Sequence, residues 1–529
     1  MIIYERGNFM KVNQMSVEDI IRRSAKLFED ETAVVFQEKE VTYNELYENS
    51  NRIANSLAEM GINKGDVVSV ISLNSPEYIE LLFAVTKIGA VINLINVMLS
   101  PQDIAYIIGH ADAKIIFVEE FFADAVDKVA GSKQRVLIER GLGKDAEAKY
   151  SDLLTASAED PEVDIHPDDP CTLIYTSGTE ALPKGVIASH RNWYATLMSG
   201  FYDLKVTRDS RTLLTIPMFH VAGSYLVLCG LMAGAKLFVQ QRADLVEAME
   251  YLEKYDVNYL VWPPTLYMAL VQMTKGERTF ESVNKLITFG NPFPSYQALL
   301  MSAKMFPNGK WMNYYGQTES NPLGLSYGFV EMNEEIAEKF VKNCLGKPHL
   351  NVEVRIVGDE DGEVAEGEVG ELLMRGPSVM MEYYKNPEKT AETLRDGWLH
   401  TGDLFRVGED GLYYFVDRKK DMIKSGGENV PSLEVETTIA MHPKVGACAV
   451  IGVPHPYWVE AVVAVVVPKP GEELSEEEIV GWCKERLAKF KVPKKVIVTG
   501  YENIPITPSG KIMKRQLKEK FKDLFAEKA

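Results

Sequence analysis

Tyr175-Thr176-Ser177-Gly178-Thr179-Glu180-Ala181-Leu182-Pro183-Lys184-Gly185 follows the apolar run Thr172-Leu173-Ile174. The run reads as the end of a strand, and the stretch as the loop it feeds. Hydroxyls, two glycines and a lysine crowd into that loop. Glycine lets backbone amides converge on an anion. Hydroxyls add donors, and Lys184 adds a point charge. A loop that grips a polyphosphate needs this composition. It is not a Walker A loop, because Gly178 is not followed by four residues and then Gly-Lys-Ser/Thr. Taken alone, the stretch also fits a solvated turn, since such clusters are common between elements.

Upstream of the loop, strand and helix patterns alternate. Residues 16–28 read as an amphipathic helix, with Ser16 and Asp19 as a capping-box-like start. Thr42 and Glu45 repeat that signature before a helix that ends at Gly61. Residues 67–73 read as a buried strand, and Ser75-Pro76 opens a helix that ends near Gly89. Segments 92–97 and 114–118 continue the pattern, and the acidic, proline-bearing 159–169 reads as a surface connection. Short loops between alternating elements predict α/β layers with parallel sheets.

Downstream, 213–217 reads as a strand leading to His220. Segments 367–372 and 410–414 read as turns of an antiparallel unit, and 417–421 as a charged break. A chain of 529 residues exceeds what one core supports, so at least two domains are expected. The expected division is 1–417, a hinge at 418–420, and 421–529. The last part has strands at 445–453 and 461–467 and a helix capped by Ser475 and Glu478. It is large enough for its own core.

A hydrophobic content of 46% with 25% charged residues is ordinary for a globular protein, and a net charge of −19 argues against broad nucleic-acid binding. No apolar run is long enough to span a membrane, and the Met1 region, with Glu5 and Lys11, does not read as a secretory signal. Cysteines 171, 229, 344, 448 and 483 are scattered and lack CxxC spacing. They suit a reducing cytoplasm better than a disulfide framework or zinc site.

Four further stretches follow in order: Asn313-Tyr314-Tyr315-Gly316-Gln317-Thr318-Glu319; Trp398-Leu399-His400-Thr401-Gly402-Asp403; Asp417-Arg418-Lys419-Lys420-Asp421 with Gly426-Gly427; and Pro508-Ser509-Gly510-Lys511. With the 176–185 loop, they make the chain resemble the adenylate-forming superfamily, and within it the acyl-CoA synthetases. The resemblance runs from about Thr42 to Lys511. It implies a large N-terminal domain of α/β layers with parallel sheets and a small mobile α+β C-terminal domain.

It also implies a chemistry. A carboxylate attacks the α-phosphorus of ATP, and CoA then displaces AMP from the acyl-adenylate. Two anions must meet, so charge neutralisation and positioning are the tasks of the protein. By resemblance, Thr176, Ser177, Gly178, Thr179 and Lys184 hold the phosphates, and Glu180 and Ala181 depart from the usual threonine and glycine. Tyr315 stacks on adenine, Thr318 bonds the α-phosphate, and Glu319 holds Mg²⁺, which needs few protein carboxylates beside phosphate oxygens. Asp403 accepts from the ribose hydroxyls, and Arg418 is a second ribose contact. Lys511 bridges carboxylate and α-phosphate during adenylation. Lys420 sits at the hinge, and Lys424, Gly426 and Gly427 enter for the CoA step.

His220, Gly223, Trp262, Gly290 and Tyr314 match positions that line the acyl pocket. A lone histidine such as His220 also fits a satisfied core side chain, and the small residues after it leave room beside a helix. Val221, Ala222 and Gly223 offer no acid for a substrate ammonium, so a fatty or aromatic acid is favoured over an amino acid. Two alternatives stay open. One passes the acyl group to a carrier protein. The other is a non-catalytic acyl or nucleotide sensor, which only Glu180 and Ala181 favour. The lysine-rich tail reads as a solvated face or a patch for CoA phosphates, and peripheral membrane contact through it is compatible with enzyme activity.

Overall fold

The structure is a computed structural model that describes residues 15–131, 133–144, 146–176, 182–290, 292–358, 361–505 and 512–526. Ser177, Gly178, Thr179, Glu180, Ala181 and Lys511 lie outside the described residues. Among the described residues the strands form sheets of fifteen, seven and five members.

The seven-stranded sheet is built from short apolar strands. Val67–Ile71, Val91–Leu94, Ile115–Glu119, Gln134–Ile138 and Pro170–Thr176 pair in parallel, in register Val68↔Ile92, Val68↔Ile115 and Ile92↔Thr172. Fully buried runs such as Val67–Ile71 and Val91–Leu94 are what a sheet covered on both faces requires. The sheet then reverses: Pro170–Thr176 pairs antiparallel with Lys184–Ser189, Thr176 opposite Lys184. Thr176 and Lys184 thus stand opposite each other at one end of this antiparallel pair.

Helix starts follow local chemistry. Thr42 Oγ1 accepts from Glu45 N (3.1 Å) while Glu45 Oε2 accepts from Thr42 N (2.7 Å), a full capping box for Tyr43–Glu59. Ser75 caps Pro76–Lys87, with proline at the first turn. Ser475 Oγ accepts from Glu478 N, but the Glu478 carboxylate turns to Lys444 at 3.0 Å. The box expected at Ser16 does not form. Ser16 Oγ donates to Glu18 (3.0 Å), and the Asp19 carboxylate is taken by Arg22 and Arg23.

Strand ends also differ from expectation, for a distant reason. The first strand stops at Ile71, not 73, because Ser72 Oγ and Leu73 N both donate to buried Glu119 Oε2 at 2.7 Å. The segment 92–97 is a strand only as Val91–Leu94, after which Asn96 Oδ1 accepts from Met98 N in a turn. Residues 159–169 are tied down, with Asp160 paired to buried Lys87 (2.8 Å) and Asp169 to Lys64 (2.6 Å).

The largest sheet joins a parallel half to an antiparallel one. Arg211–Leu214, Lys236–Val239, Tyr259–Val261, Lys285–Phe289 and Lys310–Tyr315 run parallel. Leu325–Ser326 and Cys344–Pro348 then lead to antiparallel Gly370–Arg375, Trp398–Val407 and Tyr413–Arg418. The C-terminal sheet pairs Val445–His455 with Val459–Pro468 and adds Ile423–Ser425, Glu428–Val430 and Lys495–Val498.

The stretch 417–421 is more than a charged break. The strand runs to Arg418, and Asp417 is buried. Its Oδ2 accepts from Ser432 N (2.5 Å) and Ser432 Oγ (2.7 Å), at the start of Ser432–Ala440. Pro431 precedes that helix and cannot cap it, so Asp417 supplies the cap from across the proposed boundary. Lys514 Nζ reaches Ser432 Oγ and Glu436 Oε1, each at 2.8 Å, and fastens the same turn.

One buried acid makes stability depend on pH. Glu80, in Pro76–Lys87, accepts from Asn49 Nδ2 (2.8 Å) and from the Tyr150 hydroxyl. Burial pushes its carboxyl up to about 7, against those two hydrogen bonds. Between the ordinary carboxyl range and about 7, the folded protein keeps a proton that the unfolded chain has released. Stability is therefore fully present at acid pH and falls as pH rises through this window. Glu80→Gln should remove the effect. The variant should gain about 2 kcal/mol on the wild type between pH 5 and pH 8, read as the shift in urea midpoint. An unchanged difference between the two pH values would contradict it.

Candidate active site

Tyr259–Val261, Lys285–Phe289 and Lys310–Tyr315 are parallel neighbours, so their last residues share one edge. Residues just past such ends line the ligand crevice of open α/β sheets. Trp262, Gly290 and Gly316 stand there. The hairpin of the seven-stranded sheet reaches the same place through Glu382–Tyr383, which pairs with Lys184–Ser189, Tyr383 opposite Val186.

Tyr383 links the two sheets. Its hydroxyl donates to Glu319 Oε1 (2.8 Å), and Lys184 Nζ lies 4.8 Å from its ring centroid. Met380 N donates to the Glu319 carbonyl (2.8 Å), which fixes the short 3₁₀ turn Thr318–Ser320. Glu319 Oε2 has no hydrogen-bond partner among the described residues. Sequence reasoning missed Tyr383, which lies 64 residues from Glu319.

On the other side, Tyr315 donates its hydroxyl to Asp403 Oδ2 (2.7 Å). Burial and the Asp403 carboxylate hold the Tyr315 hydroxyl far above its usual range, so it stays a donor. Asp403 is itself buried, which raises its carboxyl, while Arg418 and the Tyr315 bond oppose. Arg418 lies directly across the ladder from Asp403, with Nε 3.7 Å from Oδ1. Buried Glu371, also missed from sequence, accepts from Gly402 N (3.0 Å) and Lys419 Nζ (2.9 Å) and steadies the turn that presents Asp403.

Lys420 connects the groups. It is exposed, yet its ammonium is held below the ordinary lysine range, by partial burial first and then by Arg418. Lys184 adds to that push, and Asp421 and Asp403 oppose it. Lys184, Glu319, Asp403, Arg418 and Lys420 therefore share one electrostatic neighbourhood. Thr176 stands at the hairpin entrance with its Oγ1 3.4 Å from the Lys184 carbonyl.

The residues expected around the acid are more scattered. His220 is exposed at the start of Val221–Ala233 and is not a core histidine. Gly223 leaves no free room, because a Cβ there would stand 2.2 Å from the Pro217 carbonyl oxygen. Trp262 is fully buried and donates to Thr215 Oγ1 (3.0 Å). Gly290 has φ +84° and open space around its Cβ position. Tyr314 meets His349 edge to face at 4.9 Å.

Lys424, Gly426 and Gly427 form the Ile423–Ser425/Glu428–Val430 hairpin. Lys424 N donates to Glu460 Oε2 (2.8 Å), on the strand Val459–Pro468, and Gly426 N to the carbonyl of Trp458 (2.8 Å), in the turn just before that strand. Gly426 has φ +63°, and a Cβ there would meet Trp458 at 2.8 Å.

Among the described residues no three His, Cys, Asp or Glu side chains cluster to hold a metal alone. Glu319, with one oxygen fixed by Tyr383 and one open, fits a Mg²⁺ that takes most of its ligands from phosphate and water.

Residues 21–384 match the AMP-binding enzyme family, and residues 434–511 match the AMP-binding enzyme C-terminal domain. A feruloyl-CoA synthase from Amycolatopsis sp is 34% identical over 501 residues, covering 94% of this chain and 98% of the relative. A 4-hydroxybutyrate–CoA ligase from Metallosphaera sedula is 34% identical over 525 residues, covering 95% and 94%. Among solved structures, o-succinylbenzoate CoA synthetase from Bacillus subtilis with ATP and magnesium ion superposes with TM-score 0.83 at 26% identity, covering 94% of this chain and 99% of that one. The chain therefore belongs to the AMP-binding enzyme family, among the adenylate-forming acyl-CoA synthetases.

Proposed function

We propose that the acid is fatty or aromatic, and that the residues described above divide two half-reactions between them. As an acyl-CoA synthetase, the chain activates a carboxylic acid with ATP and passes the acyl group to CoA. In the first half, a carboxylate oxygen bonds the α-phosphorus and pyrophosphate leaves. In the second, the CoA sulfur bonds the acyl carbon and AMP leaves.

The observation that carries the site assignment is the convergence of two arms. Tyr315, Asp403 and Arg418 form one, and Lys184, Tyr383 and Glu319 form the other. The first arm suits a nucleoside: an aromatic face, a carboxylate for two ribose hydroxyls, and a guanidinium beside it. The second suits phosphates: a lysine and a carboxylate with an open oxygen. Thr176, Ser177, Gly178, Thr179 and Thr318 complete the phosphate contacts, and Mg²⁺ bound at Glu319 would offset phosphate charge. His220, Gly223, Trp262, Gly290 and Tyr314 face the acid. Trp262 and Gly223 act there through packing, since both are buried.

Residues 1–417 and 421–529 would move about 418–420, with Lys420 at the pivot. Lys511 serves adenylation, and Lys424, Gly426 and Gly427 serve thioester formation. Such closure is a hinge motion. Val221, Ala222 and Gly223 still offer no partner for an ammonium. Two relatives named for ferulate and 4-hydroxybutyrate also support an acid without an amino group. A cytoplasmic location is proposed; no helix among the described residues is long and apolar enough to cross a membrane.

The test is AMP and pyrophosphate release over straight-chain, branched and aromatic acids, each with and without CoA. CoA-stimulated release on a fatty or aromatic acid is expected. Release that CoA never accelerates would replace CoA by a carrier protein, and no release on any acid would favour the sensor.

A further inference from the structure

Side-chain bonds cross the segment 418–420. By its backbone Asp417 belongs to the N-terminal side, since Leu404 stands opposite it in the ladder and Asp403 stands opposite Arg418. Its side chain belongs to the other side. Oδ2 accepts from Ser432 N (2.5 Å), Ser432 Oγ (2.7 Å) and Leu433 N (3.3 Å). Oδ1 accepts from Arg418 N (2.8 Å). Asp417 is 3% exposed and Ser432 0%, so water does not compete for these bonds.

The helix Lys514–Phe521 grips the same place. Lys514 Nζ donates to Ser432 Oγ and to Glu436 Oε1, each at 2.8 Å. Glu436 Oε1 also accepts from Val450 N (2.7 Å), in the C-terminal sheet. Burial works against the charge on Lys514, but Glu436 and then Asp417 hold its ammonium above the ordinary lysine range. Lys518, one turn further along the same face, donates to the carbonyl of Lys420 (3.2 Å). One helix thus fastens both the cap at Ser432 and the backbone of the segment that would turn.

Two observations tell which half-reaction this arrangement serves. Asp417 directly precedes Arg418, whose Nε lies 3.7 Å from Asp403 Oδ1. Position 511 comes three residues before Lys514, a chain span of at most about 11 Å. Lys514 held at Ser432 therefore tethers position 511 on the nucleotide side. The hairpin assigned to the CoA step is instead bonded within its own unit, Lys424 N to Glu460 and Gly426 N to Trp458.

We propose that Asp417 is a positioning residue for adenylation, a latch that holds the C-terminal unit in place through Ser432 and Lys514. A turn about 418–420 would carry Ser432 away from Asp417, and hydrogen bonds weaken steeply once their geometry is lost. The latch therefore opens before thioester formation. The inference rests on the hinge reading above and adds what holds the first position. Lys518 is a second positioning residue, acting on the backbone of Lys420.

The test separates the half-reactions in the full chain, with the best acid of the panel above. One assay follows pyrophosphate release in a single turnover without CoA; the other follows thioester formation from supplied acyl-AMP. Asp417→Ala should slow the first by roughly 10- to 100-fold, the factor that a hydrogen bond to a charged group represents, and spare the second. Asp417→Asn, which keeps one acceptor, should recover part of the loss. Lys518→Met leaves the buried cap intact and should act in the same direction by roughly 3-fold, so the test survives if Asp417→Ala does not fold. Tryptic cleavage after Arg418, Lys419 and Lys420, all exposed, reads the latch without substrate and should quicken in these variants. Equal loss in both half-reactions would make Asp417 a residue of the fold alone and overturn the inference, as would an unchanged ratio with unchanged cleavage. Lys511→Ala is the control. If it loses adenylation selectively while the latch variants do not, the latch alone is wrong; if it spares adenylation, the hinge reading falls and the latch with it.

Discussion

Asp403→Asn is expected to lower kcat/KM for ATP about 100-fold while leaving the folded protein as stable as before, or more so. The carboxylate takes the Tyr315 hydroxyl on Oδ2 and keeps acceptor capacity for the two ribose hydroxyls. An amide keeps one acceptor and turns the other into a donor. A hydrogen bond to a charged group contributes about 1.5–3 kcal/mol, and each 1.4 kcal/mol is tenfold. Stability should move the other way, because burial already disfavours the charge on Asp403. pH adds a second reading. In the proposed role the ionised form accepts from ribose, and its carboxyl is raised, so wild-type activity should fall on acidification sooner than for an ordinary aspartate. The asparagine variant should lose that acid limb. Kinetics on ATP and a melting curve across pH 5–8 decide it. A parallel loss of activity and stability would mean that Asp403 serves the fold and not the nucleotide.

Glu319→Gln should have the larger effect, on the order of 1000-fold in kcat for adenylation. The substitution keeps an acceptor for the Tyr383 hydroxyl but removes the charge that would hold Mg²⁺. Metal stabilisation of phosphoryl charge is worth several kcal/mol, and each 1.36 kcal/mol is tenfold in rate. The Mg²⁺ concentration for half-maximal rate should rise in the same variant. Tyr383→Phe, which frees the carboxylate without removing it, should cost about 10-fold, the usual range for a group that orients a ligand. A rate loss in Glu319→Gln with no change in Mg²⁺ requirement would remove the metal role from Glu319.

The architecture was legible wherever local chemistry decides it. Alternating apolar runs gave the parallel strands, and Thr42, Ser75 and Ser475 cap the helices they precede. The errors sit where a distant residue decides. Glu119 ends a strand 47 residues upstream by taking the Ser72 hydroxyl. Arg22 and Arg23 draw Asp19 away from a cap. Asp417 looked like part of a charged break and is instead a buried cap for a helix that begins with Ser432.

The site shows the same division. Tyr315, Asp403 and Arg418 were marked by short motifs, and the ladder sets Asp403 beside Arg418. Tyr383 and Glu371 carry no motif, since pairing with Lys184–Ser189 and burial under Gly402 are visible only after folding. Gly223 was expected among small residues that leave room beside a helix, and the Pro217 carbonyl takes that room.

The hairpin between Thr176 and Lys184 has one more consequence. A phosphate loop that runs into a helix borrows the helix macrodipole, roughly half an elementary charge that is always present. Here the chain returns as a strand, and strands have almost no net dipole. In the proposed phosphate role, the anion would gain no helix macrodipole from the strand that begins at Lys184. A grip made of parts can be taken apart: when a lysine swings away or a cation leaves with the product, nothing permanent holds the rest. An enzyme that must release pyrophosphate before admitting a second substrate gains a clean exit from that arrangement.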